Sequence, residues 1–506
     1  MSEVRVRRSI NSLVWYIYTV VVTSVMPFII RSLLIRFIGI EYTGVSSLFS
    51  SILQVINLAD MGFDTAIVYY LYKPFAKNDT DRINAVLKVM RNAYLIIGSI
   101  VLIIGLCLTP FISFFVKDEY PEGLNIYYIY LIYIANAVIP YFLGQYRIVL
   151  FRADQRADII YKVGGTAALV MYVIQIFVIT ILGDFYLYSL LLLLGTGIQV
   201  IWQYLWSRVH YPNIKCEGSL DQNFYSGLWK RIFAIGMAKI RDTSRNSFDS
   251  IVISKFMGIV ILAEYQNYYQ VIHIPVMLVS AIATAIMPSW GNGVAEESEE
   301  SNYGVLKSYT FIHNAVSTVC LACLINLYQP FIKLWVGEDY LLPYSMVVLF
   351  SVCFYITSLT YVPMTLRSVT GIWWEGTGFY ILEAMSNLVL NLLLVRMFGL
   401  YGVIGATAFT ILFINIPIEL HYVFKLYFHK SPWKHMGVML RYSIVSAGIT
   451  IVVTLVCNHI VVDSFFVLVV KAIVTVSFTS IIYALIYWRY GEMRNLRNMV
   501  REMLHK

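Results

Sequence analysis

Long apolar stretches recur along the whole chain and alternate with short polar segments. A membrane-spanning helix needs about 20 predominantly apolar residues, and we count 14 stretches of that length. The polar segments between them are too short for a folded soluble domain, which needs at least about 50 residues. The pattern therefore predicts an all-α, polytopic membrane protein of about 14 transmembrane helices. The predicted spans cover residues 10–35, 43–72, 90–115, 125–150, 158–182, 185–207, 231–257, 261–288, 305–332, 341–368, 374–397, 401–427, 436–460 and 463–488.

The composition excludes several classes of protein. Hydrophobic residues make up 59% of the chain and charged residues 13%, whereas soluble domains carry about 25% charged residues. This excludes a conventional soluble enzyme, and disorder would require the opposite composition. The chain has neither a phosphate-binding Walker motif nor a catalytic Ser/His/Asp cluster in a loop. Cys320 and Cys323 form a C-x-x-C pair with no further ligands beside them, and zinc sites need four. We expect no catalytic residue, metal site or bound cofactor.

The basic residues predict the orientation of the chain. The N-terminal tail, the even-numbered loops and the C-terminal tail hold 27 of the 37 Lys and Arg residues. Basic residues collect in cytoplasmic loops, so both termini are expected in the cytoplasm. The apolar run at Ile10–Ile30 is too long for a signal peptide and is expected to be the first retained span.

An internal repeat predicts two lobes. The segment Pro110–Tyr120 resembles Pro330–Tyr340 at an offset of 220 residues, and Arg147 matches Arg367 at the same offset. The period covers six spans, so both copies enter the membrane from the same side and form a parallel repeat, which is typical of transporters. The predicted parts are an N-terminal six-helix lobe at 1–208, a cytoplasmic linker at 209–228, a second six-helix lobe at 229–430, and a final helix pair with the C-terminal tail at 431–506.

The seventh predicted span carries an unusual number of charges: Lys239, Arg241, Asp242, Arg245 and Asp249. A charge at the bilayer centre costs at least about 2.5–3.5 kcal/mol, so these groups must face water or one another. On a regular helix the two acids and Arg245 share one face. Two interpretations follow. The segment lines a wet cavity whose excess positive charge binds an anionic substrate, or it forms an internally paired ion network that holds helices together.

Other spans also carry polar residues. Asn57, Asp60 and Asp64 are spaced i, i+3, i+7 in the second span. Two acids on one face could bind a coupling cation or carry a proton, or they could pair with basic residues of the first or seventh span. Further candidates for a cavity wall, an interfacial contact or an interhelical hydrogen bond are Arg31, His273 and Glu383. After Asp60 and Asp64, Asp249 and Glu383 are the next candidates for an acid that binds the coupling ion.

Six segments carry a family resemblance: Arg36–Phe49, Asn57–Ile67, Leu71–Ala76, Asn246–Gly258, Tyr265–Tyr268 and Pro288–Asn292. Together they resemble the polysaccharide transporters, or Wzx-type flippases, of the multidrug/oligosaccharidyl-lipid/polysaccharide (MOP) superfamily. The resemblance runs over spans 1–12. It implies a V-shaped, two-lobed fold like that of multidrug and toxic compound extrusion (MATE) proteins.

The resemblance also implies a function. Such proteins move undecaprenyl-pyrophosphate-linked oligosaccharides to the outer leaflet of the inner or plasma membrane, driven by a proton or sodium gradient, for lipopolysaccharide, capsule or another surface polysaccharide. The implied partners are the lipid-linked oligosaccharide and membrane lipid, with polysaccharide polymerase and chain-length proteins as further candidates and no nucleic acid. Lys239, Arg241 and Arg245, with Arg31, would then bind the pyrophosphate.

Three alternative functions compete with this one, and features of the sequence weigh against two of them. A drug or metabolite antiporter of the same fold would use the acids of the second span to bind a cation. A membrane glycosyl-polymerase would act on the same lipid-linked sugars, but it would be expected to carry a large external loop, which this sequence lacks. A passive scaffold would not explain so much charge inside predicted spans.

Overall fold

The computed structural model describes residues 3–117, 120–121, 123–372 and 374–494. Within these residues the chain is helical and contains no strand. The helices of the first half are α1 Glu3–Phe37, α2 Ile40–Ile56, α3 Phe63–Lys77, α4 Thr80–Leu108, α5 Ile112–Phe115, α6 Ile126–Phe142, α7 Ile148–Ala153, α8 Ala157–Phe177, α9 Phe185–His210, α10 Gln222–Thr243 and α11 Asp249–Met257. Those of the second half are α12 Ile259–Glu296, α13 Glu299–Val336, α14 Tyr344–Leu359, α15 Tyr361–Thr370, α16 Gly378–Phe398, α17 Leu400–Thr410, α18 Ile416–Leu426, α19 Trp433–Cys457 and α20 Phe465–Tyr487.

The number of apolar helices confirms a polytopic membrane protein. Eleven helices in the described part of the chain are long and apolar enough to cross a membrane, and the number rises to 13 if each of two bent helix pairs is one span. The seventh predicted span forms α10 and α11. Its charged residues, rather than its length, exclude it from the count of apolar helices.

The helices group into two compact units, residues 1–263 and 264–506. In the first unit α1 packs on α8, α6 packs on α4 and α9, and α3 packs on α4 and α7. The charged helices α10 and α11 belong to this unit because they pack on α3 and α2. The contacts thus place the boundary between the units after residue 263, later in the chain than the linker that the repeat predicts at 209–228. The two six-helix lobes stay a prediction.

In the second unit the last two helices pack on α13. The contact is partly aromatic: Phe311 of α13 meets Tyr442 of α19, and Tyr483 and Tyr487 of α20. It is also polar, because the Asn314 amide donates to the Tyr483 hydroxyl at 3.1 Å. Hydrogen bonds between side chains hold helices together where lipid offers no hydrophobic driving force.

Two apolar spans are broken by glycine in the left-handed conformation. The second predicted span contains a break between α2 and α3, with a bend of 41°, and the fourth contains one between α6 and α7, with a bend of 47°. Gly62, with φ of +72°, lies at the first break and Gly144, with φ of +98°, at the second. Glycine adopts positive φ without the steric cost that a side chain imposes.

The two arginines that the repeat pairs have similar local roles. Arg147 is buried and donates to the backbone carbonyls of Tyr211 and Ile214, both at 3.2 Å. Arg367 is also buried and donates to the carbonyls of Ile372, at 2.7 Å, and Glu375. Each guanidinium therefore holds a loop in place by satisfying backbone carbonyls that lie outside the regular helices.

Candidate functional site

The break in the second span brings polar residues to an interruption of the helix. After α2 the chain makes a short 3₁₀ turn at Asn57–Asp60, then Met61 and Gly62 adopt left-handed conformations before α3 begins. The break packs tightly against α10. A side-chain carbon placed on Gly62 would come within 2.3 Å of the Ile235 Cγ2 methyl, and one placed on Gly236 would come within 2.5 Å of the Met61 Cε methyl.

The charged span is interrupted as well. A π-helical turn at Ser244–Phe248 joins α10 to α11. Such turns insert an extra residue into a helix and are frequent at functional sites. Ser247, which lies inside this turn, is buried, and its hydroxyl donates to the Gln54 side-chain oxygen at 2.5 Å. This hydrogen bond therefore connects the π-helical turn of the seventh span to α2, the helix that precedes the break in the second span.

Both acids of the second span form ion pairs. The Lys239 Nζ of α10 lies 2.8 Å from the Asp60 Oδ2, and the Arg152 Nη1 of α7 lies 2.6 Å from the Asp64 Oδ2. Asp64 also accepts hydrogen bonds from the backbone and the hydroxyl of Thr65. The predicted pairing of this span with the seventh span is thus present for Asp60. Asp64 pairs instead with Arg152 of α7, a base that belongs to neither the first nor the seventh span.

Two acceptor oxygens at the break are buried without a hydrogen-bond donor from the described residues: the Asp60 Oδ1 and the Asn57 Oδ1. A buried acceptor without a donor is costly, and in proteins such a group is commonly satisfied by water or an ion. The break therefore presents two oxygen atoms that a water molecule, a proton or a small cation could satisfy.

The three bases predicted to bind an anion differ in accessibility. Lys239 is the most accessible, with 44% of its side chain exposed. Arg245 is half-buried in the π-helical turn. Arg241 is buried, and its Nε donates to the Asp242 Oδ1 at 3.0 Å. In this conformation, solvent therefore reaches Lys239 more readily than Arg241.

The regular spacing predicted for the acids of both spans does not survive the interruptions. Asp242 has 57% of its side chain exposed, whereas Asp249 is buried at the start of α11. A straight helix would have placed both on one face, but the π-helical turn between them changes the phase. Asp60 and Asp64 are likewise separated by the break and pair with bases on different helices.

The remaining candidates lie at two other places. Arg31 of α1 is half-buried and its Nη2 donates to the Ala263 carbonyl at 2.9 Å. In the second unit Glu383 of α16 is buried and accepts a hydrogen bond from the Asn415 amide at 2.8 Å. His273 of α12 is exposed and packs edge-on against Tyr269.

A buried ion pair in the second unit was not predicted. Arg367 and Glu419 lie 2.7 Å apart, with 6% and 1% of their side chains exposed. The repeat singled out Arg367, but nothing in the sequence connects it to an acid 52 residues later. Among the described residues no group of three or more His, Cys, Asp or Glu side chains could hold a metal ion.

A sequence model of the family described as "Polysaccharide biosynthesis protein" matches residues 10–292, more than half of the chain. The chain belongs to this family. The match covers the first unit from residue 10 onward, and so includes the broken second span and the charged helices α10 and α11. No curated protein gives a significant match to the sequence.

Solved transporter structures share the fold. The structure described as the lipid II flippase MurJ in an inward closed conformation matches with a TM-score of 0.70 and 14% identity over 94% of this chain and 99% of that one. An inward-facing MATE family transporter of the MOP superfamily matches with a TM-score of 0.62 and 13% identity over 78% and 93%.

A third structure, a MOP superfamily transporter from Pyrococcus furiosus whose binding pocket is described as reversed in polarity, matches with a TM-score of 0.54 and 14% identity over 82% and 94%. At these identities the likeness concerns the fold alone. The MATE/MOP-like fold and the polysaccharide family expected from the sequence are therefore confirmed, and the fold is that of transporters and flippases.

Proposed function

We propose that this family member is a flippase for a lipid-linked oligosaccharide whose anchor carries a pyrophosphate. It acts in the inner or plasma membrane, has both termini in the cytoplasm, and serves the synthesis of lipopolysaccharide, capsule or a related surface polysaccharide. It moves its substrate by alternating access and catalyses no covalent step. The observation that carries the proposal is the ion pair between Asp60 at the break of the second span and Lys239 of α10. We call these two residues, together with Arg241 and Arg245 of the same predicted span as Lys239, the charged cluster.

The cluster supplies groups suited to a pyrophosphate. Lys239 offers an accessible ammonium and Arg245 a half-buried guanidinium, and Arg side chains can bind phosphate oxygens in pairs. Hydrogen bonds between such bases and phosphate are charge-assisted and stronger than neutral ones. Lys239 is already held by Asp60, so an arriving pyrophosphate competes with that acid for the ammonium.

The same competition provides a route to gradient coupling. Protonation of Asp60, or binding of a cation at its buried Oδ1 and that of Asn57, weakens its hold on Lys239 and frees the base for the substrate. Release of the proton or cation restores the pair and favours departure of the pyrophosphate. The coupling ion is thus bound at the break while the anion is bound on α10. Asp64, paired with Arg152, is the second acid proposed to take part.

The test is a translocation assay in proteoliposomes. Purified protein is reconstituted with a labelled undecaprenyl-pyrophosphate oligosaccharide, and label that reaches the opposite leaflet is removed by an impermeant glycosidase. An imposed proton or sodium gradient is expected to accelerate translocation relative to protein-free liposomes.

A drug or metabolite cation antiporter of the same fold predicts a different result in these vesicles. A fluorescent organic cation would accumulate in response to the gradient, and the lipid-linked oligosaccharide would stay in its leaflet. That outcome would overturn the proposed substrate while leaving the fold and the family intact.

A further inference from the structure

A second basic site lies at the end of the first unit where α3 meets α4. It is a cleft of about 520 Å³ lined by Tyr69, Tyr70, Tyr72, Lys73, Pro74, Lys77, Asp79 and Arg82. This cleft is formed entirely within the first unit and contains none of the residues of the charged cluster. Its volume falls in the range of small-molecule sites, roughly 300–1,000 Å³, which is more than one phosphate group alone requires.

The sequence places the lining residues by helical spacing. Tyr69, Tyr72 and Lys73 are spaced i, i+3, i+4 and therefore lie on one face of α3. Lys77 is the last residue of that helix, and Arg82 lies in the first turn of α4. Both tyrosines are exposed, 53% for Tyr69 and 49% for Tyr72, which suits aromatic side chains at a membrane interface.

The charge of the cleft is positive. Lys73, Lys77 and Arg82 contribute three positive charges against the single carboxylate of Asp79. That carboxylate is already engaged, because it accepts a hydrogen bond from the Arg82 backbone N–H at 3.0 Å as the N-cap of α4. Because Asp79 caps the helix, the ligand preference of the cleft is set mainly by the ammonium groups of Lys73 and Lys77 and the guanidinium of Arg82, which favour an anion.

A fourth base, Arg231, contacts the aromatic wall of the cleft. The Arg231 guanidinium of α10 lies 3.7 Å from the centre of the Tyr69 ring, close enough for a cation–π interaction. The neighbouring Tyr70 packs against Phe224 at 4.7 Å between ring centres. These contacts hold α3 against α10 and orient the Tyr69 and Tyr70 rings at one side of the cleft.

We propose that this cleft binds the phosphate ester head group of a membrane lipid. Lys73, Lys77 and Arg82 bind the phosphate, and the rings and hydroxyls of Tyr69 and Tyr72 contact the polar group attached to it. Basic residues beside a membrane attract anionic lipid, and tyrosines favour the same interface. The head group could come from an anionic phospholipid or from the polyprenyl phosphate half of the pyrophosphate that anchors an oligosaccharide.

This inference goes beyond the proposed function, because it concerns a separate site and holds whether or not the protein flips an oligosaccharide. If the polyprenyl phosphate is the ligand, the cleft receives the substrate before it reaches the charged cluster. If a phospholipid is the ligand, the cleft anchors the first unit in an anionic leaflet. The two sources share a phosphate ester and differ in the tail and in the group attached to the phosphate.

The test measures lipid binding to purified full-length protein in a neutral detergent. The probes are a short-chain phosphatidylglycerol, a short-chain phosphatidylcholine and geranyl phosphate, each titrated by calorimetry. The test variant is Lys73→Gln/Lys77→Gln. The matched control, Lys425→Gln/Lys434→Gln, removes two exposed lysines from the second unit. Lys430 is avoided because its ammonium donates to Glu300 at 2.9 Å, a bond that raises the pKa of Lys430.

The proposal predicts that the test variant binds the anionic probe roughly tenfold or more weakly than wild type, while the control binds normally. Restoring the charges with Lys73→Arg/Lys77→Arg should restore most of the affinity. Preference for phosphatidylglycerol identifies a phospholipid site, and preference for geranyl phosphate identifies a site for the polyprenyl carrier. Equal affinities in wild type, test variant and control, or equal binding of phosphatidylcholine, would overturn the site.

Failure of this site and failure of the proposed function are distinguishable. Neutralising Lys239 and Arg245 in the charged cluster is expected to slow translocation and leave binding of the anionic probe at the cleft unchanged. A protein that binds the probe through Lys73 and Lys77 but flips no oligosaccharide would retain the cleft and lose the proposed function.

Discussion

Lys239 of α10 lies 2.8 Å from Asp60 at the break of the second span, and this pair joins the broken second span to the interrupted seventh span. The base is 44% exposed and the acid 16%. Because water reaches the lysine, the pair contributes little stability, about 0–1 kcal/mol for an exposed ion pair. Its position beside a helix break and a π-helical turn suits a contact that is made and broken during transport.

The acids of the break are expected to control gradient coupling. Asp60→Asn and Asp64→Asn should each leave the protein in the membrane at normal level, since both acids are partly exposed. Translocation should continue but lose its response to an imposed proton or sodium gradient, because a neutral amide cannot exchange a proton or attract a cation. The measurement is the initial rate with and without the gradient. If a gradient still accelerated translocation normally in the variant that carries both Asp60→Asn and Asp64→Asn, these acids would be structural partners only.

The glycine at the break is expected to be sensitive to its contact with α10. Gly62 and Gly371 have nearly the same φ, +72° and +73°, but among the residues that the structure describes only Gly62 has a neighbour, Ile235, within reach of an added carbon. Alanine at either position carries the cost of a left-handed conformation, about 1–2 kcal/mol. Gly62→Ala should cost a further 1–3 kcal/mol, roughly, from overpacking.

Thermal unfolding in detergent compares the two variants, with Gly371→Ala as the control for backbone conformation alone. Adding Ile235→Ala to Gly62→Ala should recover part of the additional loss, because it removes the methyl that the new carbon meets. Equal melting temperatures for the two glycine variants would contradict the close approach between the break and α10.

The buried pair of the second unit is expected to matter for folding rather than transport. Arg367 and Glu419 are almost wholly buried, so Glu419→Ala should destabilise the protein by about 3–5 kcal/mol, because it strands a buried positive charge. Glu419→Gln retains an acceptor and should cost less. Membrane protein level and melting temperature provide the measurement. A Glu419→Ala protein of normal stability with slowed translocation would instead move this pair into the transport mechanism.

The orientation of the chain is expected from its basic loops. Reporter fusions at Lys215 and Lys506 should score as cytoplasmic, because the flanking segments are rich in Lys and Arg. A fusion at Asp463, in the short loop between α19 and α20, should score as external and serves as the internal control. An external signal at Lys215 would contradict both the orientation and the parallel repeat.

Hydropathy predicted most of the spans because apolar length decides which segments can cross a bilayer. The predicted span 185–207 corresponds to α9, Phe185–His210, and the span 463–488 to α20, Phe465–Tyr487. The breaks were missed because a window of about 20 residues averages over one left-handed glycine. Gly62 and Gly144, each inside an apolar run, were the residues from which the breaks could have been predicted.

The candidate site was predictable in composition but not in pairing. Charges concentrated within one span identify α10 and α11 without any structure, since unpaired charge is costly in a membrane. The partner of Asp64 is Arg152, 88 residues away, and no periodicity within either span connects them. The π-helical turn at Ser244–Phe248 also displaced Asp242 from Asp249, which helical spacing alone had placed on one face.

The central claim is that the bases of the charged cluster bind the pyrophosphate of a lipid-linked oligosaccharide. The most direct measurement is leaflet translocation of that lipid in proteoliposomes by Lys239→Gln/Arg245→Gln. The control is Lys255→Gln, which removes a base of the same unit that lies over the Phe114 ring and outside the cluster. Protein level is checked for each variant.

Losing even one charge-assisted hydrogen bond should slow translocation roughly tenfold or more, so the double variant is expected to be present at normal level and nearly inactive while the control flips normally. Translocation by the double variant at the full wild-type rate would contradict the claim.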